Sequence, residues 1–491
     1  MLTDHTIGWG FFLAYLLLVG GAALLGMRGA RGLAGFSVGS RTVSPVMVGL
    51  SLAANLTSAA TFVINPGLVY LYGWAGYLGY GLATPLGILV GLIVLSRRFR
   101  QLGDRHAALT LPQWIATRFG DRRLGVLYAL LSLLLVTFMI LIVVGLARVL
   151  ASVLGIGLVV ALVLTIAIPL VYLLLGGAGA HTLTNTAQAL IMLVVAVLLI
   201  GSGLAYWEGG LSGLLARLAA IDPNLARPVN PESLLFRSLF EVFVANFVVG
   251  VAVITQPHLL SKALYLRSEA DVGRYLLVGF GVAFVFFSVL LTGLYARLLM
   301  PDAGLVADAV IPTYLVERFG PVVRGLITIG LLAAGYSTLE GLMVALAAIV
   351  ANDLYRSWAL LRGIAPEVAE RRALRLGKLT LVVLAPVLFV LGYDQLTPAL
   401  SVAILAQNGV YALFAATFAP VLMGVLGVAL RPRVVVAAAL SALVIHFGIY
   451  YGQLGPYWNN PAVPATWAVL GSTAVALLGR WTQKKAAQPA T

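Results

Sequence analysis

The sequence predicts an all-α polytopic membrane protein with about thirteen transmembrane helices, and three observations carry that prediction. First, 61% of its 491 residues are hydrophobic and only 10% are charged, with a mean hydropathy of +1.03. A soluble domain cannot hide so much apolar surface behind so few charges. Second, apolar runs of 18 residues or more recur along the whole chain, each able to cross a hydrocarbon core of about 30 Å. Third, the basic residues gather in alternate loops, as the positive-inside rule requires.

In chain order the expected spans are 7–27, 46–72, 74–96, 124–149, 154–176, 182–206, 236–261, 275–299, 322–350, 376–393, 398–425, 434–452 and 464–480. The first is preceded by Asp4 and His5 instead of a basic segment, so it reads as a retained helix and not a signal peptide. The joining loops are mostly short, so neighbouring spans are expected to pack antiparallel. With the N-terminus outside, about 24 of the 31 Lys and Arg fall on the inner side. They include Arg28, Arg31, Arg41, Arg97, Arg100, Lys262 and the tail residues Lys484 and Lys485. The longest outer loop, 207–235, holds only Arg217 and Arg227. The net charge of +14 is thus a topology signal, and no nucleic-acid partner is expected.

One inner segment, Leu109 to Phe119, opens on Thr110 as an N-cap with Pro112 in the first turn. It reads as an interfacial linker helix with Trp114 and Phe119 at headgroup depth. The absence of cysteine removes disulfides, iron–sulfur clusters and thiolate metal sites. The five histidines (His5, His106, His181, His258, His446) are scattered, and neither an HExxH nor a paired-Asp motif appears. An intramembrane enzyme is therefore a distant alternative, and no organic cofactor is expected.

Two spans carry polar and helix-breaking residues in mid-membrane: Ser51 to Ser58 followed by Asn65-Pro66-Gly67, and Glu241 to Gly250 followed by Thr255-Gln256-Pro257-His258. Counted from the second span, they lead two five-helix halves. Inverted-repeat transporters place their site on broken helices in such matching positions, where unwound carbonyls meet a cation and unwound amides an anion. The plainer reading is that Gly and Pro only kink these helices. The Gly-rich runs Gly76–Gly81 and Gly176–Gly179 read as close packing or turns.

A third polar cluster, Ala333 to Glu340, offers the hydroxyls of Ser337 and Thr338, hard neutral donors suited to a monovalent cation. Alternatively each hydroxyl bonds the carbonyl one turn back. Glu340 is costly inside a bilayer and must face a cavity, an ion or a partner. No Lys or Arg shares its stretch of the span, so cation binding or proton carriage is expected over a buried base.

In these residues the chain resembles the sodium/solute symporter family. Five blocks carry the resemblance in order: Ala53 to Ser58, Tyr172 through Gly176-Gly177 to Gln188, Gln256-Pro257-His258, Ala334 to Thr338, and Asn352 to Tyr355. It covers most of the chain, beginning at Phe36-Ser-Val-Gly-Ser-Arg41. The resemblance implies a LeuT-like fold with two inverted five-helix repeats. The implied organisation is a leading helix and cytoplasmic loop over 1–45, a first repeat over 46–206 and an extracytoplasmic loop over 207–235. A second repeat over 236–425 follows, then two trailing helices with a short cytoplasmic tail over 426–491.

The resemblance also implies a sodium site from the carbonyls of Ala53, Leu56 and Ala334 and the hydroxyls of Ser337 and Thr338. Asn185, where the family usually has Asp, and Glu340 would support it. Sodium is the expected coupling ion; a proton or no ion remains open because Asn185 removes a charge. The family's sugar carriers use polar and aromatic side chains where this chain has Ala60, Val251 and Ala252, which argues against a hexose. A carboxylate of the pantothenate or monocarboxylate kind is expected on Asn55, Thr57, Thr255 and Gln256, with Gln407 and Asn408 nearby. An amino acid or sugar stays as the alternative, and Gln407 and Asn408 read equally well as helix–helix glue. The expected setting is a prokaryotic plasma membrane with lipid as the surrounding partner, a cytoplasmic C-terminus and a monomer sufficient for transport.

Overall fold

A computed structural model describes residues 4–27, 32–39, 43–105, 107–396 and 402–487. Arg28, Arg31, Arg41, His106 and the side chains of Lys484 and Lys485 lie outside the described residues. Among those described, ten helices are long and apolar enough to cross a membrane, and two bent pairs bring the number to twelve. One of the ten, Leu158–Gly201, has 44 residues. At ~1.5 Å per residue that is roughly twice the length a bilayer needs. It is broken at Gly177, where φ is +52° and ψ is −137°, a conformation open to glycine and costly for other residues. Counting that break, about thirteen segments run through the chain, as expected from the hydropathy.

In order these are α1 (Asp4–Met27), α2 (Pro45–Leu56 and Ala60–Tyr72), α3 (Trp74–Arg105), α4 (Arg122–Leu154), α5 (158–176) and α6 (178–201). Then follow α7 (Phe240–Val253 and Pro257–Tyr265), α8 (Glu269–Leu299), α9 (Pro321–Leu361), α10 (Pro366–Asp394), α11 (Val402–Val425), α12 (Pro432–Tyr451) and α13 (Ala462–Ala487). The most apolar window of α9, like that of α11, is 89% buried, whereas those of α1, α10 and α12 are less than a third buried. The first two are therefore central, and the others turn side chains such as Leu17, Val390 and Val444 to the surroundings.

The bends in α2 and α7 are nearly equal, 58° and 59°. Their partners match as well. α2 packs against α8 where a Cβ on Gly49 would come within 2.9 Å of the Tyr275 carbonyl. α7 packs against α3 where a Cβ on Gly250 would lie 2.2 Å from the Thr84 carbonyl. Matching α2–α6 onto α7–α11 exchanges one pairing for the other.

Both breaks fall inside the polar runs that the sequence marked. α2 breaks at Thr57 and Ser58, Thr57 being extended at φ −118° and ψ 119°, and Pro66 sits in the first turn of a continuing helix. α7 breaks before Gln256, which is extended at φ −65° and ψ 137°. Gly79, in the run Gly76–Gly81, packs on the Phe236 ring and Asn246.

The helix Leu111–Phe119 forms as the capping residues suggested, with Thr110 accepting from the Gln113 amide and Gly120 closing it in the left-handed region. Its aromatic residues Trp114 and Phe119 are buried against protein and do not face the surroundings. Trp114 is buried, stacks on Phe99 with ring centres 4.8 Å apart and donates to the Phe99 carbonyl. Nor is the helix a plain linker: Thr110 donates to Asp353 at 2.7 Å, and Asn352 donates to Gln113 at 3.0 Å. These bonds fasten it to the C-terminal part of α9.

The break at Gly177 has a direct test. An added Cβ would come within 2.6 Å of the Phe36 ring, so Gly177→Ala adds a clash to a backbone strain of about 1–3 kcal/mol. It should lower the melting temperature in detergent by several degrees. Gly21→Ala, facing open space on α1, should leave it within experimental error.

Candidate functional site: a broken-helix oxygen cluster beside a buried charge network

The first half of α2 ends at Leu56, so its last carbonyls lose their partners in the helix and carry the negative end of its dipole. In the membrane they must be satisfied by the protein. α9 supplies the partners. Ser337 donates to the Ala54 carbonyl at 3.1 Å and to Ala334 at 2.9 Å. Thr338 reaches the Thr57 carbonyl at 3.3 Å and Ala334 at 3.4 Å. Thr57 itself donates to Ala53 at 2.8 Å.

Ala53, Ala334, Ser337 and Thr338 are thus drawn into one buried circle of oxygen atoms. Leu56 has no bond in that circle, and Ala54 and Thr57 join it unannounced. A hydroxyl keeps lone pairs while it donates, so the circle is a set of neutral, hard oxygens. Such a set fits an alkali cation and suits no soft or strongly bound metal. Among the described residues no group of three or more His, Asp or Glu could hold a metal ion.

Asn185 does not reach that circle by any bond; its side-chain amide donates to the Asn55 side chain. Both are buried, and Asn55 fills the space left by Gly341, where a Cβ would lie 2.5 Å from the Asn55 amide. Asn185 therefore holds the end of the first half of α2 from behind.

One turn beyond Ser337, Glu340 is fully buried. It accepts from Thr184 at 2.6 Å, from Gln188 at 2.7 Å and from the Tyr172 hydroxyl. His181 Nδ1 lies 3.5 Å away. The expectation that no base stands near Glu340 is overturned. His181 Nε2 is 2.8 Å from the Lys262 ammonium, which also donates to Ser51 at 2.6 Å. Lys262 is 1% exposed and is not an inner-surface charge. Arg100, expected at that surface too, is equally buried and donates to the Leu266 and Arg267 carbonyls.

Since an ammonium can only donate, His181 Nε2 accepts and Nδ1 carries the proton toward Glu340. Carboxylate, imidazole and ammonium form a chain joining α9, α6, α7 and α2. Hydropathy missed Lys262 because it follows the expected end of its span. Its signal was its place four residues after His258, on the second half of a broken helix.

The expected solute residues are dispersed. Thr57 is taken up by Ala53, and Asn55 by Asn185. Ala60 and Val251 are half-buried, and Ala252 is fully buried. Thr255 donates to Ala252 at 2.7 Å and to Phe414 at 3.4 Å, which joins α7 to α11. Gln256 stands in the break with its side-chain carbonyl buried and without a hydrogen-bond partner. Gln407 stands beside Tyr80. Asn408 is turned away to α12, where its carbonyl oxygen lies 2.7 Å from His446 Nε2.

The sequence profile of the sodium:solute symporter family matches residues 36–445. The chain is 29% identical to the sodium/pantothenate symporter of Escherichia coli (strain K12), across 90% of this chain and 89% of that protein. It is 28% identical to the sodium/pantothenate symporter of Haemophilus influenzae, across 70% and 71%. With the high-affinity proline transporter PutP of Bacillus subtilis identity is 24%, across 79% and 80%. Among solved structures, a Na+-coupled sialic acid symporter in a substrate-bound outward-open state superposes with a TM-score of 0.76 at 18% identity, covering 97% of this chain and 98% of that one. The nucleobase-cation-symport-1 transporter Mhp1 gives 0.57 at 14% identity, covering 92% and 95%. The shared architecture is the LeuT fold.

The charge chain makes a prediction. Removing one member leaves the other charge unpaired in a low dielectric, which costs about 3–5 kcal/mol. Glu340→Gln and Lys262→Met should each lower the melting temperature more than the double substitution does, as a double-mutant cycle in detergent would measure.

Proposed function

The chain belongs to the sodium:solute symporter family, a secondary transporter and not an enzyme, and we propose that it imports a small carboxylate by alternating access. Two sodium/pantothenate symporters that match this chain over long stretches support pantothenate as the solute, with a monocarboxylate of similar size as the alternative. Sodium binds the oxygen circle of Ala53, Ala54, Thr57, Ala334, Ser337 and Thr338. The observation that carries this reading is the meeting of helix-end carbonyls on α2 with two hydroxyls on α9.

The N-terminus faces outside and the C-terminus the cytoplasm, with 46–206 and 236–425 as two inverted repeats. The equal bends of α2 and α7 and their exchanged partners support that division. The solute lies between the breaks. Its carboxylate rests on freed amides after Thr57, and Gln256 and Gln407 supply polar contacts beside Ala60, Val251 and Ala252. Sodium joins α2 to α9 in one state and not in the other, and that difference in affinity is what couples ion to solute. Asn185 takes no direct part in holding the ion; it fixes Asn55, and Glu340 adds negative charge one turn from Ser337.

In proteoliposomes, pantothenate uptake should follow an inward sodium gradient and vanish without one. Ser337→Ala combined with Thr338→Ala should raise the sodium concentration for half-maximal uptake by about a hundredfold or more, each lost charge-assisted contact being worth roughly 1.5–3 kcal/mol. Uptake indifferent to the gradient sinks the sodium reading. Thermal stabilisation that needs both Na+ and one member of a panel of carboxylates, amino acids and sugars identifies the solute.

A further inference from the structure

A cavity of about 330 Å³ opens between α1, α4, the start of α9 and the short helix Ala307–Arg318, with the second half of α2 as its floor. None of its lining residues belongs to α7 or α11. It meets the α2 break at Ala59 and lies on the α4 and α9 side of that break, away from α7 and α11.

Its walls are largely apolar, formed by residues such as Val63, Val149 and Leu331. The charged side chains that line it are Arg148, Arg324 and Asp308, with His5 beside them. The first turns of Ala307–Arg318 and of α9 also border it, and helix N-termini favour negative charge. Arg148 bonds Asp308 at 3.1 Å through one terminal nitrogen and the Leu396 carbonyl at 3.4 Å through the other. A guanidinium has five N–H donors, more than these partners use. The Arg148–Asp308 pair is 33% and 44% exposed, so it holds weakly and can exchange.

We propose that this cavity is a binding site for a small carboxylate with an apolar body, whose carboxylate takes Arg148 from Asp308. The ligand is either the transported solute arriving from water or a fatty acid arriving from the membrane; the recognition chemistry is the same. Ala307, next to Asp308, packs so closely on α2 that a Cβ on Gly67 would lie 2.0 Å from its carbonyl. A ligand that releases Asp308 therefore loosens the helix seated on the outer half of α2. The inference rests on the carboxylate reading above for its choice of probe.

The test is equilibrium binding of radiolabelled pantothenate to the purified chain in Na+ and in choline. A Na+-insensitive component is expected beside the Na+-dependent one. Arg148→Gln should weaken that component about tenfold, and Asp308→Asn should tighten it by a similar factor because the competing carboxylate is gone. Gly145 lines the cavity, and a Cβ there meets nothing within 4 Å. Gly145→Leu should therefore fill the space and abolish the Na+-insensitive component while the chain stays folded. If radiolabelled oleate binds there and pantothenate does not, the membrane is the source, and the same variants must move oleate binding in the same directions. Absence of Na+-insensitive binding for both probes, or binding that all three variants leave unchanged, overturns the proposal. Loss of only the Na+-dependent component counts against the transport reading and leaves this one standing.

Discussion

Everything central in this molecule follows from one constraint: a backbone that unwinds inside a membrane must have its polar groups answered by the protein. α2 unwinds at Thr57, and α9 answers with Ser337 and Thr338. The same bonds that prevent an unsatisfied break also create a ring of oxygens. Carbonyls at the negative end of a helix make such a ring favourable for a cation. Stability and the proposed ion binding are then two uses of one arrangement.

The charge chain beside that ring obeys the same logic. Glu340 and Lys262 are each expensive in a low dielectric, and His181 between them lets both be served without direct contact. Thr184, Gln188 and Tyr172 complete the carboxylate's shell. Tyr172 and Gln188 lie on opposite sides of the Gly177 break, so that kink brings two separated turns onto one carboxylate. The network links four helices through side chains that leave little freedom of choice.

Much of this was legible in the residues. Hydropathy located the spans because a bilayer sets their length, and the matching interruptions in α2 and α7 pointed to paired breaks. Ser337 and Thr338 were readable because hydroxyls beside an acid in mid-membrane are rare. The α2 break falls at Thr57 and Ser58, at the end of the polar run Ser51 to Ser58, whereas Pro66 lies within the helix that continues from Ala60. Lys262 was missed because charge at a span's end reads as surface until a neighbouring helix covers it. Asn408 could not be told from helix–helix glue, because nothing in a sequence says which way an asparagine turns.

The leading helix has a consequence of its own. α1 lies at the rim, with only 28% of its most apolar window buried, yet Tyr15 on its inner face stacks on Tyr336 and accepts from Gln188, which also holds Glu340. A Cβ on Gly26 would meet the Gly179 carbonyl at 2.6 Å, so the seal between α1 and α6 is close. α1 thus acts as insulation: it keeps lipid chains off the wall behind Glu340 and preserves the polar surroundings on which that side chain depends.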